Sequence, residues 1–162
     1  MNKNAIKTMF SSETNEWATP TDFYDKLNRL YGPYDLDPCC NKINAKCKYF
    51  FTEQDDGLNQ DWCGYNVFMN PPYGREIGKW IEKAYKESRK QNTSVTCLIP
   101  SRTDTKYWHD YCMKADKIIF VKGRLKFGTA TNVAPFPSAV IMFTGTNETR
   151  PFICKTPLIG NI

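Results

Sequence analysis

Four short apolar runs constrain this chain more than any other feature: Tyr65-Asn66-Val67-Phe68-Met69, Ser94 to Ile99, Lys117 to Val121 and Ala139 to Phe143. Each is too short for a stable helix, and Pro71, Pro100 and Gly123 punctuate the first three. Between them lie helical patterns. Ile77, Trp80, Ile81, Ala84 and Tyr85 fall on one side of a helix from Ile77 to Arg89, and Thr103 to Met113 reads as a second. Buried-type strands alternating with helices predict a mainly parallel α/β sheet flanked by helices. Ligands of such sheets sit beyond the carboxyl ends of the strands. Chemistry is therefore expected at Asp37-Pro38, Asn70 to Tyr73 and Pro100-Ser101.

The segment upstream fits the same plan. Thr19-Pro20-Thr21-Asp22 predicts a helix start with Thr19 as the cap and Pro20 in the first turn. Phe23, Leu27 and Leu30 supply its apolar stripe, and Gly32-Pro33 ends it. Tyr34 to Asp37 reads as a short strand, 41–48 as a short helix, Lys48 to Thr52 as a strand and Gln54 to Gly57 as a turn. With 162 residues the chain suits one minimal domain. Residues 1–16 read as a loose leader, 17–145 as the domain and 146–162 as a polar tail.

Hydrophobic residues make up 41%, enough for a core, yet no apolar run nears the roughly 18 residues of a membrane helix. The first residues lack the apolar stretch of a signal peptide. A soluble cytoplasmic protein is expected. The seven cysteines form no Cys-x-x-Cys pair and His109 stands alone, so no metal site is expected; the thiols read as free and mostly buried. The net charge of +5 is unevenly spread: 1–74 carry 7 Lys/Arg against 10 Asp/Glu, and 75–126 carry 13 against 6. A basic middle third beside an acidic first half fits a polyanionic partner.

The most informative segment is Asn70-Pro71-Pro72-Tyr73. Two prolines after a buried strand remove two backbone donors and fix two φ angles, leaving a stiff loop with unused carbonyl acceptors. The Asn70 amide oxygen adds an acceptor and Tyr73 a flat ring. Such a set can hold an exocyclic amino group by two acceptors while stacking on the ring that bears it.

The tetrapeptide resembles the catalytic motif of amino-methyltransferases that use S-adenosylmethionine. From about residue 16 to 143 the order of pieces resembles the small phage-type DNA N6-adenine methyltransferases of the Dam family. Those pieces are Glu16 to Pro20, Leu36-Asp37-Pro38-Cys39-Cys40, Asp56-Gly57-Leu58 with Asp61-Trp62, Asn70 to Tyr73, Leu98 to Arg102, Gly123 to Phe127, and Ala134 to Ser138. The resemblance implies a Rossmann-like S-adenosylmethionine-dependent methyltransferase fold and methyl transfer to the N6 amino group of adenine in double-stranded DNA. It implies catalytic roles for Asn70, Pro71, Pro72 and Tyr73, with Asn70 also counted among the cofactor-binding residues. It places Asp37 and Pro38 at the methionine moiety of the cofactor, although Cys39-Cys40-Asn41 stands where most methyltransferases carry a glycine-rich turn. Trp17, Thr19 and Pro20 precede the first strand as a cofactor segment. Asp55 or Asp56, with Asp56 preferred, would accept from the cofactor adenine or ribose.

Arg102, Lys122, Arg124 and Lys126 are the expected DNA contacts, the last three sharing one side of an extended segment by their spacing of two. Tyr107 and Trp108 read equally as core or as nucleic-acid contacts. The target amino group lies inside a duplex, so base flipping onto Tyr73 is expected. The same loop suits cytosine N4 methylation, an RNA adenine or a protein glutamine, and a non-catalytic nucleic-acid-binding module is the rival outside enzymology. The resemblance makes a short palindrome such as GATC a reasonable recognition sequence, which no one residue encodes; monomer and dimer both stay open.

Overall fold

A computed structural model describes residues 17–145. The expectations for the leader, with Glu16, and for the tail, with Cys154, lie outside those residues. The first element is helix α1, Thr21–Tyr31. It buries Phe23, Tyr24 and Leu27, and Gly32 N donates to Asn28 O at its end. Gly32 is required there, since a Cβ would lie 2.3 Å from the Asn28 carbonyl oxygen. The helix cap departs from expectation. Pro20 occupies the N-cap position, with no side-chain hydrogen bond capping the helix. Thr19 is one residue too early to cap, and its hydroxyl is used elsewhere.

Six strands form one sheet in the order β2-β1-β3-β4-β6-β5. They are β1 (Leu36–Asp37), β2 (Tyr49–Phe50), β3 (Asn66–Met69), β4 (Ser94–Pro100), β5 (Lys117–Phe120) and β6 (Ser138–Phe143). The pairs β1–β2, β1–β3 and β3–β4 are parallel. Strand β6 runs antiparallel between β4 and β5, with Cys97 opposite Ile141 and Ile118 opposite Ile141 on its other side. The sheet is mainly parallel, as expected, but its last strand is inserted rather than appended. Long-range pairing decided that, and nothing local in Ala139 to Phe143 encodes it.

Side-chain alternation explains why β3, β4 and β6 are apolar on both faces. Val67, Met69, Val95, Cys97, Ile99, Ile141 and Phe143 point into one core, shared with Ile77, Trp80, Ile81 and Ala84 of helix α2, Ile77–Ser88. Phe68, Leu98, Val140 and Met142 point into the other, covered by α1 and by Leu125, Phe127 and Ala134 of the loop after β5. Helix α3, Lys106–Asp110, continues into a 3₁₀ turn at Cys112–Lys114, so the helix expected from Thr103 to Met113 is shorter. Trp108 is core, 2% exposed, while Tyr107 is half-buried.

Two further expectations fail locally. Residues 41–48 form turns rather than a helix, because Asn41 Oδ1 accepts from Ile43 N and Asn44 N while Asn44 Oδ1 accepts from Asn41 N. Such side-chain bonds compete with helical ones. Of the six described cysteines only Cys97 and Cys112 are buried; Cys39, Cys40 and Cys47 are half-buried and Cys63 is exposed. Among the described residues no helix is long and apolar enough to cross a membrane.

Candidate active site

Strands β1, β3, β4 and β5 all point the same way, so their following loops gather at one edge of the sheet. Asn70 leaves β3 at its centre. Its Nδ2 donates to the Trp17 carbonyl at 2.5 Å and to Thr19 Oγ1 at 2.9 Å. Its Oδ1 is buried and has no hydrogen-bond partner among the described residues. A buried acceptor left open costs about 1–3 kcal/mol, a cost natural proteins tolerate where a ligand completes the bond.

A cleft of about 860 Å³ opens beside this amide. Its walls are Trp17 to Thr19, Asp37 to Lys42 with Asn44 and Lys46, Thr52 to Gln54, Asp56 to Leu58, and Asn70 to Pro72, with Phe68, Glu76 and Trp80 completing the lining. Asp37 ends β1 inside it, 4% exposed. Its carboxylate accepts from Lys46 N at 3.3 Å and Cys39 N at 3.4 Å. Burial nevertheless pushes this carboxyl up to about 6. The Asp37 loop closes on Gly57, where a Cβ would sit 2.0 Å from the Pro38 carbonyl oxygen, so only glycine permits the approach.

Asp56 sits in the left-handed region, φ 53°, and faces the cleft, its carboxylate accepting from Asn59 Nδ2 at 2.6 Å. Asp55 instead spends its carboxylate on Thr52, accepting from the backbone N–H and the hydroxyl, each at 2.8 Å. Those bonds, Thr52 N–H first, hold the Asp55 carboxyl below its ordinary value. Asp37, Asp56, Glu53 and the open Asn70 oxygen make one wall rich in acceptors, while Lys42 and Lys46 line the same space. This donor set fits S-adenosylmethionine, whose ammonium and sulfonium need acceptors and whose carboxylate needs cations.

Tyr73 stands beyond the cleft. Its hydroxyl donates to Leu98 O at 3.2 Å and is deeply buried, which pushes its pKa well up, while the residue as a whole is half-buried. The ring stacks on Trp17 at 6.4 Å between centroids and meets Phe136 and Phe127 edge-on at 5.5 and 6.1 Å. The rings Trp17, Tyr73, Phe127 and Phe136 thus form one group against the Asn-Pro-Pro loop.

Of the residues expected at the site, Trp17, Thr19, Asp37, Pro38, Asp56, Asn70, Pro71 and Pro72 line the cleft together. Pro20 is not in its wall; it ends the segment and opens α1. Arg102, Lys122 and Lys126 are exposed on loops at the same edge, and Arg124 is half-buried. Alternation persists beside them, with Leu125 and Phe127 turned inward. Gly57, Leu58, Trp80, Phe127 and Phe136 received no site role from the sequence. The placement of Phe136 between Pro135 and Pro137 was a signal of a rigid presented ring.

A mainly parallel sheet with a buried carboxylate ending β1 and an Asn-Pro-Pro loop ending β3 defines a Rossmann-like methyltransferase domain. A model of the DNA N-6-adenine-methyltransferase (Dam) family matches residues 7–148, and the chain belongs to that family. A DNA N-6-adenine-methyltransferase of Haemophilus phage HP1 (strain HP1c1) is 29% identical over 140 residues, which are 82% of this chain and 80% of that protein. One of Escherichia phage T1 is 31% identical over 111 residues, 67% of this chain and 45% of the phage protein, so the matched part is under half its length. A putative methyltransferase YfdM of Escherichia coli (strain K12) is 36% identical over 64 residues, 36% of this chain and 70% of that protein. The family's activity is methylation of the adenine N6 amino group in DNA, with S-adenosylmethionine as methyl donor.

Proposed function

We infer that this chain methylates adenine N6 in duplex DNA, with Asn70 Oδ1 and the Pro71 carbonyl receiving the target amino group. The observation that carries the reading is the open, buried Asn70 Oδ1 in the wall of the same cleft as Asp37. The amino nitrogen of adenine is a poor nucleophile because its lone pair is conjugated into the ring. Two acceptors that bind its two N–H bonds draw the nitrogen toward tetrahedral geometry and release the lone pair. S-adenosylmethionine, when bound, supplies an electrophilic methyl group on sulfur. The chain holds the amino group in line with it, excludes water and needs no side-chain base, since the proton leaves to solvent once the new N–C bond has formed.

Asp37 and Asp56 are the proposed acceptors for the donor's ammonium and its ribose or adenine, with Trp17 and Pro38 packing beside them. Pro72 stiffens the loop that aims Asn70. The flipped adenine would stack on Tyr73 within the aromatic group, at an unstacking cost of about a few kcal/mol. Arg102, Lys122, Arg124 and Lys126 would hold the backbone and offset that cost.

The test is Asn70→Ala. Methyl transfer should fall at least about tenfold, or about 1.4 kcal/mol of barrier, while calorimetry shows S-adenosylmethionine binding retained. Turnover within that factor sinks the mechanism. Digesting treated DNA to nucleosides and weighing them distinguishes N6-methyladenine from N4-methylcytosine, and the latter would move the reading to the rival base.

A further inference from the structure

An asparagine amide has an acceptor end and a donor end of nearly equal size, and a half-turn of its last torsion exchanges them. Only one orientation can receive an amino group. The free chain has to choose it before substrate arrives. The Trp17 carbonyl can only accept, and it lies 2.5 Å from one end of the Asn70 amide, so that end must be the NH₂. Thr19 Oγ1 takes the second N–H at 2.9 Å. Reversing the amide would set its oxygen against the Trp17 oxygen and leave two donors facing the cleft.

Thr19 is placed for this and for little else. It is 6% exposed, and the helix that follows uses no side-chain cap, so its hydroxyl has no structural duty at α1. Its segment is held in turn: Gly128 N donates to Ala18 O at 2.8 Å, and the Trp17 ring packs on Tyr73, Phe127 and Phe136. We propose that Thr19 is a positioning residue which, with the Trp17 carbonyl, fixes the Asn70 amide so that Oδ1 faces the target amino group. This rests on the reading of Asn70 as the acceptor for that group. Thr19 acts through Asn70 and not on the methyl donor, although it lines the donor's cleft.

Thr19→Val keeps the shape and deletes the acceptor. Its kcat should fall about tenfold or more, with S-adenosylmethionine affinity held within about twofold. Thr19→Ser keeps the oxygen and should return kcat to within about threefold of the parent. The decisive measurement adds Asn70→Asp. Asn70→Asp is itself slower, because one carboxylate oxygen then meets the Trp17 carbonyl, but with acceptors at both ends no orientation is left to set, so adding Thr19→Val in that background should lower kcat by less than a further factor of about three. If Thr19→Val does not fold, Thr19→Cys, near in size with a weak acceptor, carries the same comparison. Equal losses in both backgrounds would mean a packing role and overturn the proposal. So would unchanged kcat in Thr19→Val, or a loss confined to donor affinity. Asn70→Ala with retained turnover would instead remove the reading beneath it.

Discussion

Asp37 concentrates the pH dependence of the site in one group. Its ordinary value is 3.8, and burial raises it to about 6 despite the backbone N–H groups of Lys46 and Cys39. Relative to the unfolded chain, the folded chain favours the neutral form. The stability this group contributes is therefore full below pH 3.8 and is lost as pH rises through about 6. If Asp37 holds the donor's ammonium group, as proposed, donor binding runs the other way, because that group needs the ionised carboxylate. Affinity for S-adenosylmethionine should rise as pH passes about 6 and level off above it, and Asp37→Asn should be weaker at pH 7.5 and flat. Calorimetry from pH 5 to 8 checks this, and a parent profile flat across that range would remove Asp37 from the donor site. The neighbouring thiols resist titration: burial, with the Asp37 charge second, pushes Cys39 and Cys40 well up, and burial holds Cys47 at about 12.

At the scale of elements, helix α2 holds the cleft wall through Glu87. This carboxylate is 3% exposed. It accepts from Trp62 N at 3.0 Å and pairs with Lys83 and Lys90 at 2.7 and 2.8 Å. Burial pushes its carboxyl up, but the two lysines and the Trp62 N–H together outweigh that and hold it below its ordinary value. Trp62 in turn donates from Nε1 to the Gly57 carbonyl at 2.9 Å, tying α2 to the loop that carries Asp56. Glu87→Ala leaves a buried N–H unmet and should cost about 1–3 kcal/mol in chemical denaturation. Because the native value is depressed, the stabilisation exists above the ordinary carboxyl value of 4.5 and is lost as pH falls below it. The mutant and parent curves should therefore converge in acid, and parallel curves would show that Glu87 acts by packing alone.

Across the whole molecule the question is where DNA lies. Lys122 and Lys126 are exposed on the loop after β5, and the same loop turns Leu125 and Phe127 into the core and reaches Ala18 through Gly128. Replacing both lysines with Ala should weaken DNA binding on every sequence and reduce the log–log salt slope by about one per contact. Arg124 is half-buried and engaged, unlike its neighbours. If it reads a base, Arg124→Ala should erode discrimination between cognate and mismatched sites by about 1–3 kcal/mol. Binding titrations at several salt concentrations separate the cases. Unchanged affinity in the double mutant would move the DNA face to Arg102 and α3.

The sequence by itself determined the parts whose cause is local. The runs Val67-Phe68-Met69 and Val95 to Ile99 alternate into both cores, so their burial was written in composition and length. Asn70-Pro71-Pro72-Tyr73 was legible because two prolines leave few backbone options. Asp37 before Pro38 could be placed as a strand end for the same reason. Tertiary structure alone decided the rest, where partners distant in the chain compete for one group. Thr19 looked like a helix cap, but Asn70, 51 residues on, takes its hydroxyl. Asp56 was preferred to Asp55 from the sequence, but only the fold separates them: Thr52 takes up the Asp55 carboxylate, and Asp56, in a left-handed turn, lines the cleft. The antiparallel β6 and the meeting of Trp17, Tyr73, Phe127 and Phe136 depend on sheet order. Sheet order is settled by the sum of burial over many strands, and no single segment encodes that sum.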